Sequence, residues 1–354
     1  MYSLEDELTK ETKITLSSYL DKDDFKYQES SFAFAFEKVL KNIDIENPEH
    51  RILSMNYPYF RDDRFFPAFS IDLIKKFNPS VIITLIDDVF ACWARISIRE
   101  EESPSRSYFR IRDMFSWRSA AILFGDLFAK SLGVSNYVVS VKHPPKMLYK
   151  LIFRSNEYLR VYASYPITST KKEASTRKVI DDFRNTLHEH FCVFDPVTID
   201  DRLLSNASIN GSNSVITKDI RWNLPSGFSM VSDDDIWSKK SQIEIPVEQI
   251  DEVAKPLSVN EKSTIDKHIL FRDYRLISDS KAVIAGRPFF NKHPSQGVSS
   301  EIQYAVQTAG TPCYLFWNYA EDGKPSESPF GGKGLHFDNL ENLISNVKKK
   351  LKNN

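Results

Sequence analysis

Short, strongly apolar runs alternate with amphipathic segments along most of this 354-residue chain. The clearest run is SVIITLI at 80–86, whose mainly β-branched residues predict a strand buried on both faces. Helical periodicity flanks it at 71–77 and 90–98. Strands and helices in this alternation fold as a mostly parallel sheet with helices on both faces, so we expect an α/β protein.

The alternation occurs twice, which predicts two Rossmann-like parallel-sheet domains, in line with about two domains for a chain of this length. The first is placed at 1–155 and the second at 156–354. The second is interrupted at about 198–259 by a stretch rich in Ser, Asn and Asp. Since long structureless loops are uncommon inside compact domains, we interpret this stretch as an insertion with structured pieces at 220–224 and 243–245.

Charge and hydropathy exclude several classes of partner. Lys+Arg 47 against Asp+Glu 48 leaves a net charge of −1, so we expect no nucleic-acid partner. The apolar runs are far below the roughly 18 residues that span a bilayer, so no membrane partner is expected. The N-terminus is polar and acidic, unlike a signal peptide, and three widely spaced cysteines are typical of reduced thiols. These features predict a cytoplasmic protein.

Glycine is absent before Gly125. Both GxxxxGK[ST] and GxGxxG loops need glycine where backbone amides approach a phosphate, so neither occurs in the first 124 residues. We therefore expect no phosphotransferase activity from the N-terminal half. The sequence His188-Glu189-His190 is not HExxH, because histidines two apart fall on different helix faces. No metal or organic cofactor is expected.

The strongest local signal is PSQGVSSE at 294–301, between a predicted strand and a helix. The backbone amides up to Val298 and the Ser295 hydroxyl would form an anion site, which Gly297 opens to close approach. Glu301 is predicted in the first helical turn, facing that site. A carboxylate there can attack an anomeric carbon or stabilise an oxocarbenium ion. Helix capping explains the same residues without any function.

Two other segments place polar groups near the predicted sheet. Asp273, in FRDYRLI at 271–277, lies on the helix before the strand 282–285. We expect it near the carboxyl edge of the sheet, where α/β proteins bind ligands; an ion pair with a neighbouring arginine is the alternative. In VYASYPIT, at 161–168, the hydroxyls of Tyr162 and Ser164 would line a pocket or a buried strand end.

Taken together, these segments resemble the nucleoside 2-deoxyribosyltransferase superfamily, and most of all its 2′-deoxynucleoside 5′-phosphate N-hydrolase branch. The resemblance runs from the strand ending in Tyr162, through Asp273 and PSxGVxxE, to the Ala, Gly and Pro residues of 305–312, over roughly residues 157–320. The sequence departs from the family at 165–168, where YPIT replaces the phosphate-binding loop that the family often has.

This resemblance implies a domain that cleaves the N-glycosidic bond of a nucleotide, either a nucleoside monophosphate or NAD. Glu301 would be the nucleophile at C1′ and Asp273 the acid or a substrate-positioning carboxylate. The residues assigned to substrate binding are Tyr162, Ser164, Arg287, Ser295, Gly297 and Val298, with Ser295 on the 5′-phosphate. The expected partner is a small-molecule nucleotide, and we expect a homo-oligomer. A nucleotide-sensing module without chemistry remains the alternative.

The N-terminal half resembles the later part of an adenylate-kinase-like nucleotide kinase. The resemblance rests on ILSM at 52–55, on 69–88, and on Arg106, Arg110 and Arg112. Arginines of a lid clamp phosphates in such kinases; an ordinary solvated basic loop is the alternative explanation of these three. Without a P-loop, this half would serve binding or assembly. By analogy, a kinase remnant joined to a glycosidase would suit a cellular antiviral defence effector.

Overall fold

The alternation of helices and strands is present in the computed structural model, and the predicted α/β class is confirmed. The model describes residues 1–14, 16, 19, 24–61, 64–66, 69–93, 95, 110–167, 174–199, 201, 215–219, 242–246, 264–290, 293–317, 330 and 333–352. Two compact units divide the chain: Met1–Thr84 with Ser103–Tyr137, and Leu85–Glu102 with Val138–Asn354. Among the described helices, none is long and apolar enough to cross a membrane.

The first unit is built from helices around a cluster rich in aromatic side chains. The elements up to the division are β1 (Tyr2–Ser3), α1 (Leu4–Thr12), α2 (Phe25–Glu46), β2 (Leu53–Ser54), β3 (Tyr59–Arg61), β4 (Arg64–Phe66), α3 (Ile71–Phe77), β5 (Val81–Ile86), α4 (Ile111–Leu132) and β6 (Ser135–Ser140). Strands β1 and β2 pair in parallel, β3 and β4 pair antiparallel, and β5 is hydrogen-bonded to β6. The division between the units passes through β5 and β6.

The second unit carries the main sheet. Its further elements are α5 (Pro145–Phe153), β7 (Arg160–Ser164), α6 (Ala174–His190), β8 (Cys192–Phe194), β9 (Val215–Asp219), β10 (Gln242–Pro246), α7 (Thr264–Ser278), β11 (Ala282–Gly286), β12 (Phe289–Phe290), β13 (His293–Pro294), α8 (Gln296–Tyr304), β14 (Cys313–Phe316), β15 (Leu335–Phe337) and α9 (Leu340–Lys352). Five of these strands form one parallel sheet in the order β15-β14-β11-β7-β8.

Within the predicted insertion, β9 and β10 form an antiparallel pair. The structured piece that the sequence predicts at 243–245 lies in β10, whereas the piece at 220–224 falls outside the described residues.

Hydrophobic patterning explains why this sheet forms. Strand residues such as Val161 and Ile284 are fully buried, and helix α6 packs Ile180, Phe183 and Leu187 into the same cluster. Spacings of three and four residues put those α6 side chains on one helix face. A sheet covered in this way needs apolar residues on both faces of its strands, as the sequence provides.

Strand order creates a crevice at one point of the sheet. The chain runs from β7 to its neighbour β8 and then crosses β7 to pair β11 on the other side. Ligands of open parallel sheets bind at such a reversal, outside the carboxyl ends of the two strands. Gly286 ends β11 there, and a Cβ atom on it would lie 2.7 Å from the Phe183 ring. Glycine is therefore required for α6 to pack this closely.

Candidate functional site

Ser164 and Glu301 meet at this strand-order reversal. Ser164 is the last residue of β7 and is fully buried, while Glu301 lies partly buried on α8, the helix that follows β11. The Ser164 hydroxyl donates a hydrogen bond to Glu301 Oε2 at 2.5 Å. Two of the residues expected from the sequence are thus brought into direct contact.

Asp273 lies on α7 and is held by the residue before it. Arg272 Nε and Nη2 both donate to Asp273 Oδ1, at 3.0 and 2.7 Å. The expected ion pair with a neighbouring arginine therefore exists. Asp273 also lies close enough to Glu301 for its negative charge to raise the pKa of the Glu301 carboxyl group. Asp273 lies five residues before the last residue of α7.

The environment of Glu301 favours its protonated form. Burial raises the pKa of Glu301 to about 8, and the negative charge of Asp273 contributes to the rise. The Ser164 hydrogen bond, the nearby Tyr162 hydroxyl and the positive charge of Arg272 act in the opposite direction. Two neighbouring carboxyl groups of this kind titrate as a unit. Near neutral pH, Glu301 is therefore mainly protonated.

The Tyr162 hydroxyl is buried beside this carboxyl pair. It makes no hydrogen bond of ordinary geometry to any described residue. Burial, followed by the charges of Asp273 and Glu301, raises its pKa well above the usual value. A buried hydroxyl without a partner is rare in native proteins, so Tyr162 is a group that a ligand or a water molecule would satisfy.

An aromatic pair lies beside the site, and the sequence patterns described above do not predict it. The rings of Tyr274 and Tyr304 stack at 3.8 Å between centroids with an interplanar angle of 2°. Burial and then the charge of Glu301 raise the pKa of Tyr274. Tyr274 directly follows Asp273, and Tyr304 lies one helical turn beyond Glu301. These two spacings are the sequence signal from which the aromatic pair could have been predicted.

The N-terminus of α8 contains three of the predicted ligand-binding residues. Ser295 is its cap residue, but its side chain makes no capping hydrogen bond. Capping therefore does not explain this serine. Gly297 is exposed with open space around it, and the Val298 side chain is buried, so only its backbone amide faces the helix end. The predicted first-turn position of Glu301 is wrong, because α8 already begins at Gln296 and Glu301 is its sixth residue.

Arg287 follows Gly286 at the end of β11 and adopts a left-handed backbone conformation with φ of 42°. Its amide donates to the carbonyl of Phe316 at 2.7 Å, which ties the end of β11 to β14. Such a conformation is uncommon for a residue with a side chain. Arg287 is therefore held at the same sheet edge as Ser164.

The structure also gives the surroundings of the histidines and of one of the arginines considered in the sequence. His188 lies 3.6 Å from Asp195, while His190 contacts Lys348, so the two histidines have different surroundings. In the part of the chain that the structure describes, no cluster of three or more His, Cys, Asp or Glu side chains is arranged to hold a metal ion. Arg106 lies outside the described residues, and Arg110 forms an ion pair with Asp113.

Comparison with family models, curated proteins and solved structures finds no match to this chain. The functional argument is therefore carried by the geometry of the site.

Proposed function

We propose that this protein is a nucleotide N-glycosidase that cleaves the bond between base and ribosyl group through Glu301. The observation that carries the proposal is the carboxyl pair of Glu301 and Asp273, with Ser164 bound to Glu301, at the strand-order reversal of a parallel sheet. Glycosidic cleavage uses two carboxyl groups in different protonation states; here burial favours the protonated form of Glu301, while Asp273 is bound to Arg272.

The proton on Glu301 has a defined use in this reaction. The C1′–N bond breaks as the base leaves with a proton delivered through Asp273, and the Glu301 carboxylate, freed of that proton, forms a bond to C1′. Water then attacks C1′, releases Glu301, and returns a proton to the pair. Ser164 holds the reacting carboxyl group, and Tyr162 lies where its hydroxyl can donate to the bound sugar or to Glu301.

The N-terminus of α8 would hold the phosphate of the substrate. The unpaired first-turn amides and the Ser295 hydroxyl are suited to an anion. Ser295 and Glu301 are six residues apart on this helix, about 9 Å along its axis. Ribose 5-phosphate spans a gap of that order when its ends are at hydrogen-bonding and reacting distance. The substrate class is therefore a nucleoside monophosphate or the nucleotide portion of NAD.

The test is to incubate the purified chain with a panel of nucleoside monophosphates, the matching nucleosides and NAD, and to follow base or nicotinamide release by chromatography. We expect release from at least one nucleotide and none with Glu301→Gln. Nucleotide binding without release from any member would instead support the non-catalytic nucleotide-sensing module. Release that persists at the wild-type rate in Glu301→Gln would contradict the assignment of Glu301.

A further inference from the structure

Arg272 contacts Asp273 in a way that helix geometry alone does not produce. Adjacent helical residues point about 100° apart, so they do not normally face each other. Arg272 nevertheless turns back and directs two of its N–H groups to one oxygen, Asp273 Oδ1. Both side chains are nearly buried, with 6% and 11% of their surface exposed.

The other side of the guanidinium is held by a second segment of the chain. Arg272 Nη1 donates to the carbonyl oxygen of Ile199 at 2.6 Å. Asp201, which is fully buried, lies close enough for its charge to act on Arg272. Burial lowers the pKa of Arg272, but the charges of Asp273 and Asp201 outweigh that effect and raise it. Asp201 is itself fixed by the backbone amide of Val89, at 2.9 Å.

Asp201 is not needed to pair the other buried cation near it. Its charge also acts on Lys142, but that lysine bonds directly to Asp88 and lies 3.8 Å from Asp87. Removing the charge of Asp201 would therefore leave Lys142 with two carboxylate partners. The charge of Asp201 can therefore be removed by substitution to test its effect on Arg272, while Lys142 keeps its two carboxylate partners.

We propose that Arg272 is a positioning residue for the carboxyl pair, and that the segment with Ile199 and Asp201 holds it in place. Because two N–H groups of the guanidinium bind Asp273 Oδ1, they fix the orientation of the carboxylate. The positive charge of the guanidinium also acts on Glu301, where it favours the ionised form of the carboxyl group. The catalytic consequence rests on the proposed function, whereas the effect on protonation does not.

The groups that act on Glu301 come from three neighbouring elements. Strand β7 contributes Ser164 and Tyr162, helix α7 contributes Arg272, Asp273 and Tyr274, and β14 contributes Cys313. Arg272 is the cation among them, so loss of its charge has a defined direction. Without it, the ionised form of Glu301 is less favoured and its titration moves to higher pH.

The experiment measures the titration of Glu301 in the full-length chain by infrared difference spectroscopy. The Glu301 carboxyl band is identified by its absence from Glu301→Gln. We expect Arg272→Gln to raise the pH midpoint of this band by about one unit, as is usual for loss of a neighbouring opposite charge. Arg272→Lys keeps the charge but not the two-pronged contact, so a smaller rise is expected. This variant also covers the case in which Arg272→Gln does not fold.

Asp201→Asn distinguishes two ways in which Asp201 could act on the pKa of Glu301: by holding Arg272 in position, or directly through its own negative charge. Removal of a negative charge by itself would lower the Glu301 midpoint. If Asp201 acts by holding Arg272, the guanidinium loosens and the midpoint rises instead. The matched control is Arg184→Gln, which removes another buried arginine bound to an aspartate, Asp195, at 2.7 Å in the same unit. We expect it to lower the melting temperature without moving the Glu301 midpoint.

An unchanged midpoint in both Arg272 variants would overturn the assignment of Arg272, and a lowered midpoint in Asp201→Asn would overturn that of Asp201. Since the spectroscopic readout needs no substrate, these results are independent of base release. If the midpoints move as expected but no nucleotide releases its base, the positioning role stands and the proposed function fails.

Discussion

The hydroxyl of Ser164 donates to Oε2 of Glu301 at 2.5 Å and thereby joins the last residue of β7 to the helix that follows β11. These two strands are neighbours in the sheet, with Ser164 opposite Ala285. The contact places a carboxyl group directly over the point at which the strand order reverses. Its protonation is therefore set by groups from both sides of the crevice.

Ser164→Ala is expected to raise the pKa of Glu301 above its value of about 8, because the hydroxyl favours the ionised carboxylate. The proposed reaction needs one proton on the pair, so kcat/KM should fall above about pH 8 in the wild type. In the variant this alkaline decline should move to higher pH, with a lower maximum because Glu301 is less well oriented. A pH profile of kcat/KM for both proteins checks this, and an unmoved decline would count against the contact.

Glu301→Gln should retain the fold and nucleotide binding but lose at least about 100-fold in base release. Glutamine conserves the shape of the side chain but can neither provide the proton nor attack C1′. Circular dichroism and equilibrium binding of the nucleotide serve as controls for folding and for an intact pocket. A variant that binds and still releases base normally would exclude Glu301 as the reacting group.

The stability of the protein should also report the raised pKa of Glu301. Its ordinary value is 4.5, so between about pH 4.5 and 8 the folded chain retains a proton that the unfolded chain has lost. The free energy of unfolding of the wild type should therefore fall with rising pH, relative to Glu301→Gln, by at most about 1.4 kcal/mol per pH unit. Urea denaturation of both proteins at several pH values measures the difference. Parallel curves would show that Glu301 titrates normally.

Asp273→Asn is expected to lower stability and turnover together. The substitution removes the carboxylate that is bonded to the buried Arg272, and breaking such a pair costs about 3–5 kcal/mol. It also removes a charge that raises the pKa of Glu301, so the alkaline decline of kcat/KM should move to lower pH. Melting temperature and the pH profile per folded molecule are the measurements. Loss of stability with normal turnover would make Asp273 a structural residue only.

Ser295→Ala tests the phosphate site. Hydrogen bonds to a charged group contribute roughly 1.5–3 kcal/mol, so kcat/KM for a monophosphate should fall about 10- to 100-fold. The matching nucleoside should hardly be affected. Because the Ser295 side chain does not cap α8, the melting temperature should not change. Equal losses for both substrates would indicate that the phosphate binds elsewhere.

Much of the fold follows from local patterns in the sequence. The periodicity at 71–77 predicts α3 with the bounds that the structure has, and the amphipathic pattern at 175–190 predicts α6 to within one residue. The β-branched run at 80–86 becomes β5. Such elements are predictable because side-chain direction repeats every 3.6 residues in a helix and every two in a strand.

The site is only partly predictable. The grouping of Tyr162, Ser164, Asp273 and Glu301 was expected from a family resemblance, and the structure brings these four residues together. The sequence does not predict the position of Glu301 in α8, because Gln296, Gly297 and Val298 give no local signal that the helix begins before Glu301. Ser295 has a suitable residue type for a cap, but its side chain does not make the capping bond.

The sequence by itself determined the order of strands and helices and the residue types available for chemistry. Only the tertiary structure decided which of them meet. Ser164 and Glu301 are 137 positions apart, and their contact depends on β7 and β11 becoming neighbours in the sheet. Arg272 and Asp273 are adjacent, yet the guanidinium that binds Asp273 is also held by the carbonyl of Ile199, 73 positions away. The raised pKa of Glu301 has the same origin, because burial and neighbouring charge are properties of packing and not of local sequence.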